Sequence, residues 1–160
     1  MNDVLRSGSV AEQALRQEKR LRVNKLVAEV VDDYMLLAKT RGMTFMVDAR
    51  PTIIRANRDM MRHVISNLVS NAVRHGDAGS VIKITCDQHE LVIKNACKPL
   101  TKRQLQHVFD PFYRSSDSTK QHADSSGIGL YTVKMLLDAK GLDYDFIPHE
   151  RGMRFVVRFE

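Results

Sequence analysis

The sequence predicts an α+β fold, a two-layer sandwich with helices on one face of a mixed sheet. Three observations carry this reading. Apolar residues recur at helical spacing in three long segments. Between those segments, short stretches alternate apolar and polar residues, the period of a half-buried strand. The order is helix, two strands, helix, two strands, a long polar loop, helix, two strands. Helices do not alternate singly with strands, as a doubly wound parallel sheet requires. A chain of 160 residues suits one domain with at most a short appendage.

The elements follow in chain order. Ser7, Gly8 and Ser9 mark a loose start, and Ala11 to Arg20 carries a thin stripe compatible with a helix. The first clear helix runs from Asn24 to Thr40, through Leu26, Val27, Val30, Val31, Tyr34, Leu37 and Ala38. Asn24 is its expected N-cap, and Gly42 lies just past its end. Residues Thr44 to Asp48 and Thr52 to Arg55 read as two short strands around Pro51.

Asn57 caps the next helix, whose core stripe is Met61, Val64, Ile65, Leu68, Val69, Ala72 and Val73. It should stop near Gly76 or Gly79. Strands Val81 to Cys86 and Leu91 to Asn95 follow, with Ile82, Ile84 and Cys86 on one face. A short helix fits Lys102 to Val108 after Thr101 as cap. Arg114 to Ser126 is almost wholly polar and too long for an ordinary connection, which marks a functional or mobile loop. The last helix spans about Gly127 to Lys140, with Leu130, Val133, Leu136 and Leu137 inward. Strands Asp143 to Pro148 and Met153 to Phe159 close the chain.

Composition excludes several classes. The longest apolar run is Tyr34 to Ala38, and a membrane-spanning helix needs ~20 apolar residues. Cys86 and Cys97 are too few for a disulfide framework and lack zinc-type spacing. A reducing cytoplasm is the simplest location. The net charge of +6 raises nucleic acid, anionic membrane or phosphate as partners. The cluster Arg16, Lys19, Arg20, Arg22 and Lys25 has no interleaved aromatic, so it reads as a solvated face before a base-stacking surface.

Three segments carry chemistry. Asn67, Asn71, Arg74 and His75 form a polar stripe beside the apolar stripe of one helix, at about 100° per residue. Asn carbonyl oxygens suit Mg²⁺ and Arg suits phosphate, though a hydrated helix flank gives the same pattern. Ser125-Ser126-Gly127-Ile128-Gly129-Leu130 stands directly before a helix. Glycines let backbone approach an anion, and the first helical amides point at it. A flexible loop end is the plain alternative. Phe109-Asp110-Pro111-Phe112-Tyr113-Arg114 sets three aromatics at the base of the long loop, as an anchor or as ordinary core.

Together these segments resemble the ATP-binding catalytic domain of bacterial sensor histidine kinases, within the GHKL ATPase superfamily. Asn67 to His75 looks like the N box, Val108 to Arg114 like the F box, and Gly127 to Val133 like the G2 box. The resemblance covers about residues 21–160 in the correct order, and the F box separates this branch from others. It implies an α/β sandwich with ATP held between the helical layer and a mobile lid at residues 115–124. Asn71 would hold Mg²⁺, Asn67 would support the γ-phosphate region, and Arg74 would contact phosphate. These three are the implied catalytic residues. His75, Asn95 and Leu100 would line the nucleotide, Arg114 would sit at the lid base, and Ser126, Gly127, Ile128, Gly129 and Leu130 would offer backbone to the phosphates.

Three departures stand out. The family's G1 box reads Asp-x-Gly-x-Gly, with the Asp on the adenine amino group; here the segment is Asn95-Ala96-Cys97-Lys98-Pro99. Ser125 stands where the G2 box commonly has glycine. None of the six histidines has the context of the family's phosphoacceptor. The resemblance therefore implies a module that presents Mg-ATP to a histidine on a dimerization domain outside this chain, for relay to a response regulator. Residues 1–20 would be a tail or a remnant of the dimerization helices, and 21–160 the catalytic domain. By itself the chain is expected to be a monomer that contacts neither nucleic acid nor membrane. The longer protein would be a dimer, with this part cytoplasmic even where the sensor is membrane-bound. The alternatives are a degenerate scaffold without kinase activity, a serine kinase of the anti-sigma type, and a nucleic-acid-binding domain. ATP titration separates the first, the F box argues against the second, and a steep salt dependence of DNA binding would mark the third.

Overall fold

The apolar stripes of the helices and the inward faces of the strands meet in one buried cluster. The computed structural model describes residues 12, 15–113 and 129–159. Strand β1 (Lys19–Arg22) runs directly into helix α1 (Val23–Thr40). Then come β2 (Thr44–Ala49), β3 (Ile53–Ala56) and α2 (Arg58–His75). Next are β4 (Val81–Cys86), β5 (Glu90–Ala96) and the short α3 (Lys102–His107). Helix α4 (Gly129–Lys140) and strands β6 (Asp143–His149) and β7 (Gly152–Arg158) complete the chain.

The main sheet has the order β2-β4-β5-β7-β6. The β2–β4 pair is parallel and the remaining pairs are antiparallel, so the sheet is mixed. Helix α2 packs between α1 and α4, and the three form one layer on a single face. The fold is thus the expected α+β sandwich. Separately, β1 and β3 pair as an antiparallel ribbon, with Leu21 opposite Ile54.

The N-terminal region corrects two expectations. Lys19 and Arg20 are strand, where the thin apolar stripe suggested the end of a helix. Ladder bonds to β3, with Leu21 buried, outweigh a weak local helical preference. Asn24 is not the N-cap of α1. Because β1 enters the helix without a gap, Arg22 takes the cap position, with no side-chain cap bond. The Asn24 side-chain oxygen instead accepts from the Thr52 N–H at 3.1 Å, tying α1 to the approach to β3.

Other local expectations hold. Asn57 Oδ1 accepts from the Met60 N–H at 3.0 Å, capping α2. All seven stripe residues of α2 are buried. Thr101 and Gln104 form a reciprocal capping box on α3. Gly42 has φ +67°, the left-handed conformation that ends α1. Leu37, by contrast, is 38% exposed, because the inward side of α1 near its end is filled by Ala38.

Candidate functional site

The site is built on α2, whose two stripes have opposite fates. The apolar stripe is locked into the core, which fixes the rotation of the helix about its axis. The polar stripe is thereby turned to the flank beside α4. Asn67 and Asn71, one turn apart, are both partly exposed. A Cβ placed on Gly129 would lie 3.9 Å from Asn67 Oδ1, so the N-terminal turn of α4 meets the Asn67 amide. Two of the three chemistry-bearing segments are thus adjacent. The Leu130 side chain packs against the core, which anchors that first turn of α4.

The last turn of α2 is held from two directions. Arg74 Nε donates to Ser70 Oγ at 3.1 Å, which fixes the guanidinium along the helix. The Arg41 side chain donates to the carbonyls of Val73, Arg74 at 3.3 Å and Gly76 at 2.8 Å. Those carbonyls end a helix and lack intrahelical partners, so a cation there satisfies them and complements the helix dipole. Sequence reasoning missed Arg41, since nothing local ties position 41 to position 74. It also missed Ser70, although a spacing of four from Arg74 was a usable signal.

Asn95 lies on the inward face of β5, level with Met153 of β7, and is only 9% exposed. Its side chain neighbours Cys97. Burial pushes the Cys97 thiol above its ordinary value; the polar Asn95 side chain works against that, and the nearby Asp77 carboxylate adds to it. The net upward shift favours the thiol form of Cys97 over the thiolate. The Leu100 N–H points at Met153 Sδ at 3.4 Å, so Asn95 and Leu100 flank the same methionine. The Asp77 N–H donates to the Ala96 carbonyl at 2.7 Å and joins the end of α2 to this segment. Gly152 makes the close approach possible: a Cβ there would fall 2.0 Å from the Asn95 carbonyl oxygen.

The aromatic segment divides. Phe109 meets Tyr144, Phe155 and Phe146 edge-on, at 5.7, 6.2 and 6.5 Å between ring centres. Phe112 is 58% exposed at φ +64°, and Tyr113 leans on His107 instead. The anchor is therefore Phe109 alone, because a tight turn after Asp110 swings the other rings off the core. Arg114, Ser126, Gly127, Ile128 and the segment 115–124 lie outside the described residues.

No group of three or more His, Cys, Asp or Glu side chains that could hold a metal occurs among the described residues. No helix among them is long and apolar enough to cross a membrane. A hard cation here would rely on amide oxygens plus the oxygens of a phosphorylated ligand, which suits Mg²⁺.

Residues 56–160 match the family described as histidine kinase-, DNA gyrase B-, and HSP90-like ATPase. The sensor histidine protein kinase HK06 of Streptococcus pneumoniae is 33% identical over 160 aligned residues, covering 98% of this chain and 35% of that protein. The sensor histidine kinase CusS of Escherichia coli is 30% identical over 149 residues, covering 91% of this chain and 31% of its own length. This chain thus spans about a third of those relatives. Among solved structures, the catalytic domain of histidine kinase ThkA superposes with a TM-score of 0.77 at 21% identity. That match covers 89% of this chain and 94% of the other. Histidine kinase AdeS of Acinetobacter baumannii gives 0.75 at 19% identity, over 96% of this chain and 73% of the other.

Proposed function

The chain belongs to the histidine kinase-, DNA gyrase B-, and HSP90-like ATPase family, and on that premise we propose that it is the ATP-binding catalytic unit of a two-component sensor histidine kinase. The observation that carries this is the contact of Asn67 with the first turn of α4, with Asn71 one turn further along the same stripe. Asn67 and the first turn of a helix lie side by side there, a combination that suits a magnesium–triphosphate.

Phosphoryl transfer asks little covalent chemistry of the protein; it needs in-line placement and compensation of charge. Mg²⁺, when bound, would neutralise phosphate charge, with Asn71 as its protein ligand. Asn67 steadies the phosphate end, and Arg74, held by Ser70, places a cation near it. The backbone from Ser126 through Ile128 to Leu130, including Gly127 and Gly129, would donate to phosphate oxygens, and Arg114 would belong to the lid base. His75, Asn95 and Leu100 face the nucleoside, with Asn95 on the adenine amino group. The nucleophilic histidine and its base would come from a dimerization domain outside this chain, with the residues before β1 as a tail or a remnant of that domain's helices. The phosphate then passes to a response regulator; a solved complex of histidine kinase ThkA with response regulator TrrA supports this relay by analogy. The unit works in the cytoplasm, as a monomer by itself and a dimer in the longer protein.

Calorimetric titration with ATP, with and without Mg²⁺, tests the binding reading. Saturable binding that needs Mg²⁺ is expected. With γ-labelled ATP the chain alone should gain no acid-labile, base-stable phosphate, whereas a separately produced dimerization domain of the same protein should gain it. Absence of nucleotide binding would leave the fold as an interaction scaffold.

A further inference from the structure

The face of the five-stranded sheet turned away from the helices carries a row of cations. Lys83 on β4 stands directly opposite Lys94 on β5, and Lys94 directly opposite Arg154 on β7. The row ends in apolar residues: Met46 opposite Lys83, and Ile147 opposite Arg154. Like charges in direct cross-strand register destabilise a sheet. Lysines that guard a sheet edge have a reason of their own, but β4, β5 and β7 are interior strands.

None of the three cations forms an ion pair among the described residues. Arg154 Nε is in addition closed off from solvent without a hydrogen-bond partner, which leaves a donor uncompensated. Two same-face positions further along β7, beyond Val156, the same face is treated differently. There Arg158 meets Asp143 at 2.9 Å and Asp145 at 2.8 Å, both on β6. The sheet neutralises its cation at one end and leaves three uncompensated in its middle.

We propose that this stripe is a docking surface for a short acidic segment of a partner polypeptide. Neighbouring strands lie about 4.8 Å apart, so the three cations span about 10 Å. Same-face carboxylates of an extended segment repeat at about 6.7 Å, so two of them cover the row when the segment crosses the strands. The apolar ends fit a segment that flanks its carboxylates with aliphatic side chains; Met46 is 58% exposed. The limits of the stripe argue against a broader anion. Asp48 on β2 and Asp143 and Asp145 on β6 bracket it on the outer strands, and a bilayer surface or a duplex would lay its charge over them too. The five strands place no Phe, Tyr or Trp on this face, so unpaired bases have nothing to stack on.

The test is fluorescence anisotropy at low salt with a labelled hexapeptide of four glutamates and two leucines. The wild-type chain should bind it, and K83Q/K94Q/R154Q should weaken binding about ten-fold or more. The control R20Q/R55Q removes exposed charge from the β1–β3 ribbon and should change affinity less than about two-fold. Should the triple variant fail to fold, Lys94→Gln alone should weaken binding about three-fold without lowering Tm, since it relieves repulsion. Failure of the wild-type chain to bind would overturn the proposal. So would equal weakening by the control, or tighter binding of phosphatidylserine vesicles or a DNA duplex through the same three residues.

Discussion

The two sides of the candidate nucleotide site are built on different principles. The phosphate side is one helix. Its orientation follows from eight buried side chains, of which the seven other than Ala72 each contribute roughly 1.5–3 kcal/mol on full burial. Asn57 holds its start and Arg41 its end, so the polar stripe is placed by the period of a rigid element. The proposed base side, residues 95–100, starts on the last two residues of β5 and continues without a regular period. It is positioned by single contacts from β7 and its hairpin: Gly152 under the Asn95 carbonyl, Met153 beside Leu100, and the Arg151 carbonyl accepting from the Cys97 N–H at 3.0 Å. A helix-borne stripe tolerates loss of a polar residue, whereas a segment held by close approaches fails when one neighbour grows.

The largest expected effect tests that fragility. Gly152→Ala puts a methyl group into the Asn95 carbonyl, and overpacking of this kind costs about 3 kcal/mol. Tm should fall by about 10 °C in a thermal melt followed by circular dichroism. An unchanged Tm would mean that β5 and β7 can separate at no cost, and the contrast between the two sides would collapse.

Next in size is Asn71→Ala. The position is on the polar flank, so stability without ligand should stay within about 0.5 kcal/mol of wild type. Affinity for Mg-ATP should drop about 100-fold, or about 2.7 kcal/mol. Calorimetry that finds wild-type affinity in the folded variant would remove Asn71 from the metal site.

A smaller effect is expected from Asn95→Asp. A charged acceptor on the adenine amino group should add about 1 kcal/mol, about five-fold in ATP affinity. It should also worsen GTP, because a carboxylate repels the guanine carbonyl whereas an Asn amide can flip and donate. Burying the charge beside Cys97 should lower Tm slightly. An ATP-to-GTP ratio equal to wild type would show that Asn95 does not read the base.

Smallest is the chemistry of Cys97. Its raised pKa means that the folded protein holds less thiolate than an open cysteine as pH rises toward 9, the ordinary value. Alkylation by iodoacetamide at pH 8 should be slower than in the urea-unfolded chain, and slower still with Mg-ATP bound. The sign for stability follows: the contribution is present below pH 9 and is lost as pH rises through the higher folded value. Alkylation as fast as in the unfolded chain would place Cys97 in solvent.

The amino-acid sequence by itself determined the elements with a strong period and the residues they carry. The stripe of α2, its Asn57 cap, the alternation of β4 and the Thr101 cap are local patterns, set by short-range spacing that needs no partner to be read. Motif order then brought Asn67 and Gly129 into one expected site, and the structure sets them side by side. What only the tertiary structure decided are the contacts between residues far apart in the chain. Lys19–Arg22 became strand because β3 was there to pair with it, Asn24 left its cap position to bind Thr52, and Phe109 alone of its aromatic segment reached the core. Arg41 on the end of α2 and the cations aligned across β4, β5 and β7 belong to the same class. Their positions depend on strand order and register, which are set by the burial of the whole core and leave no local mark on the chain.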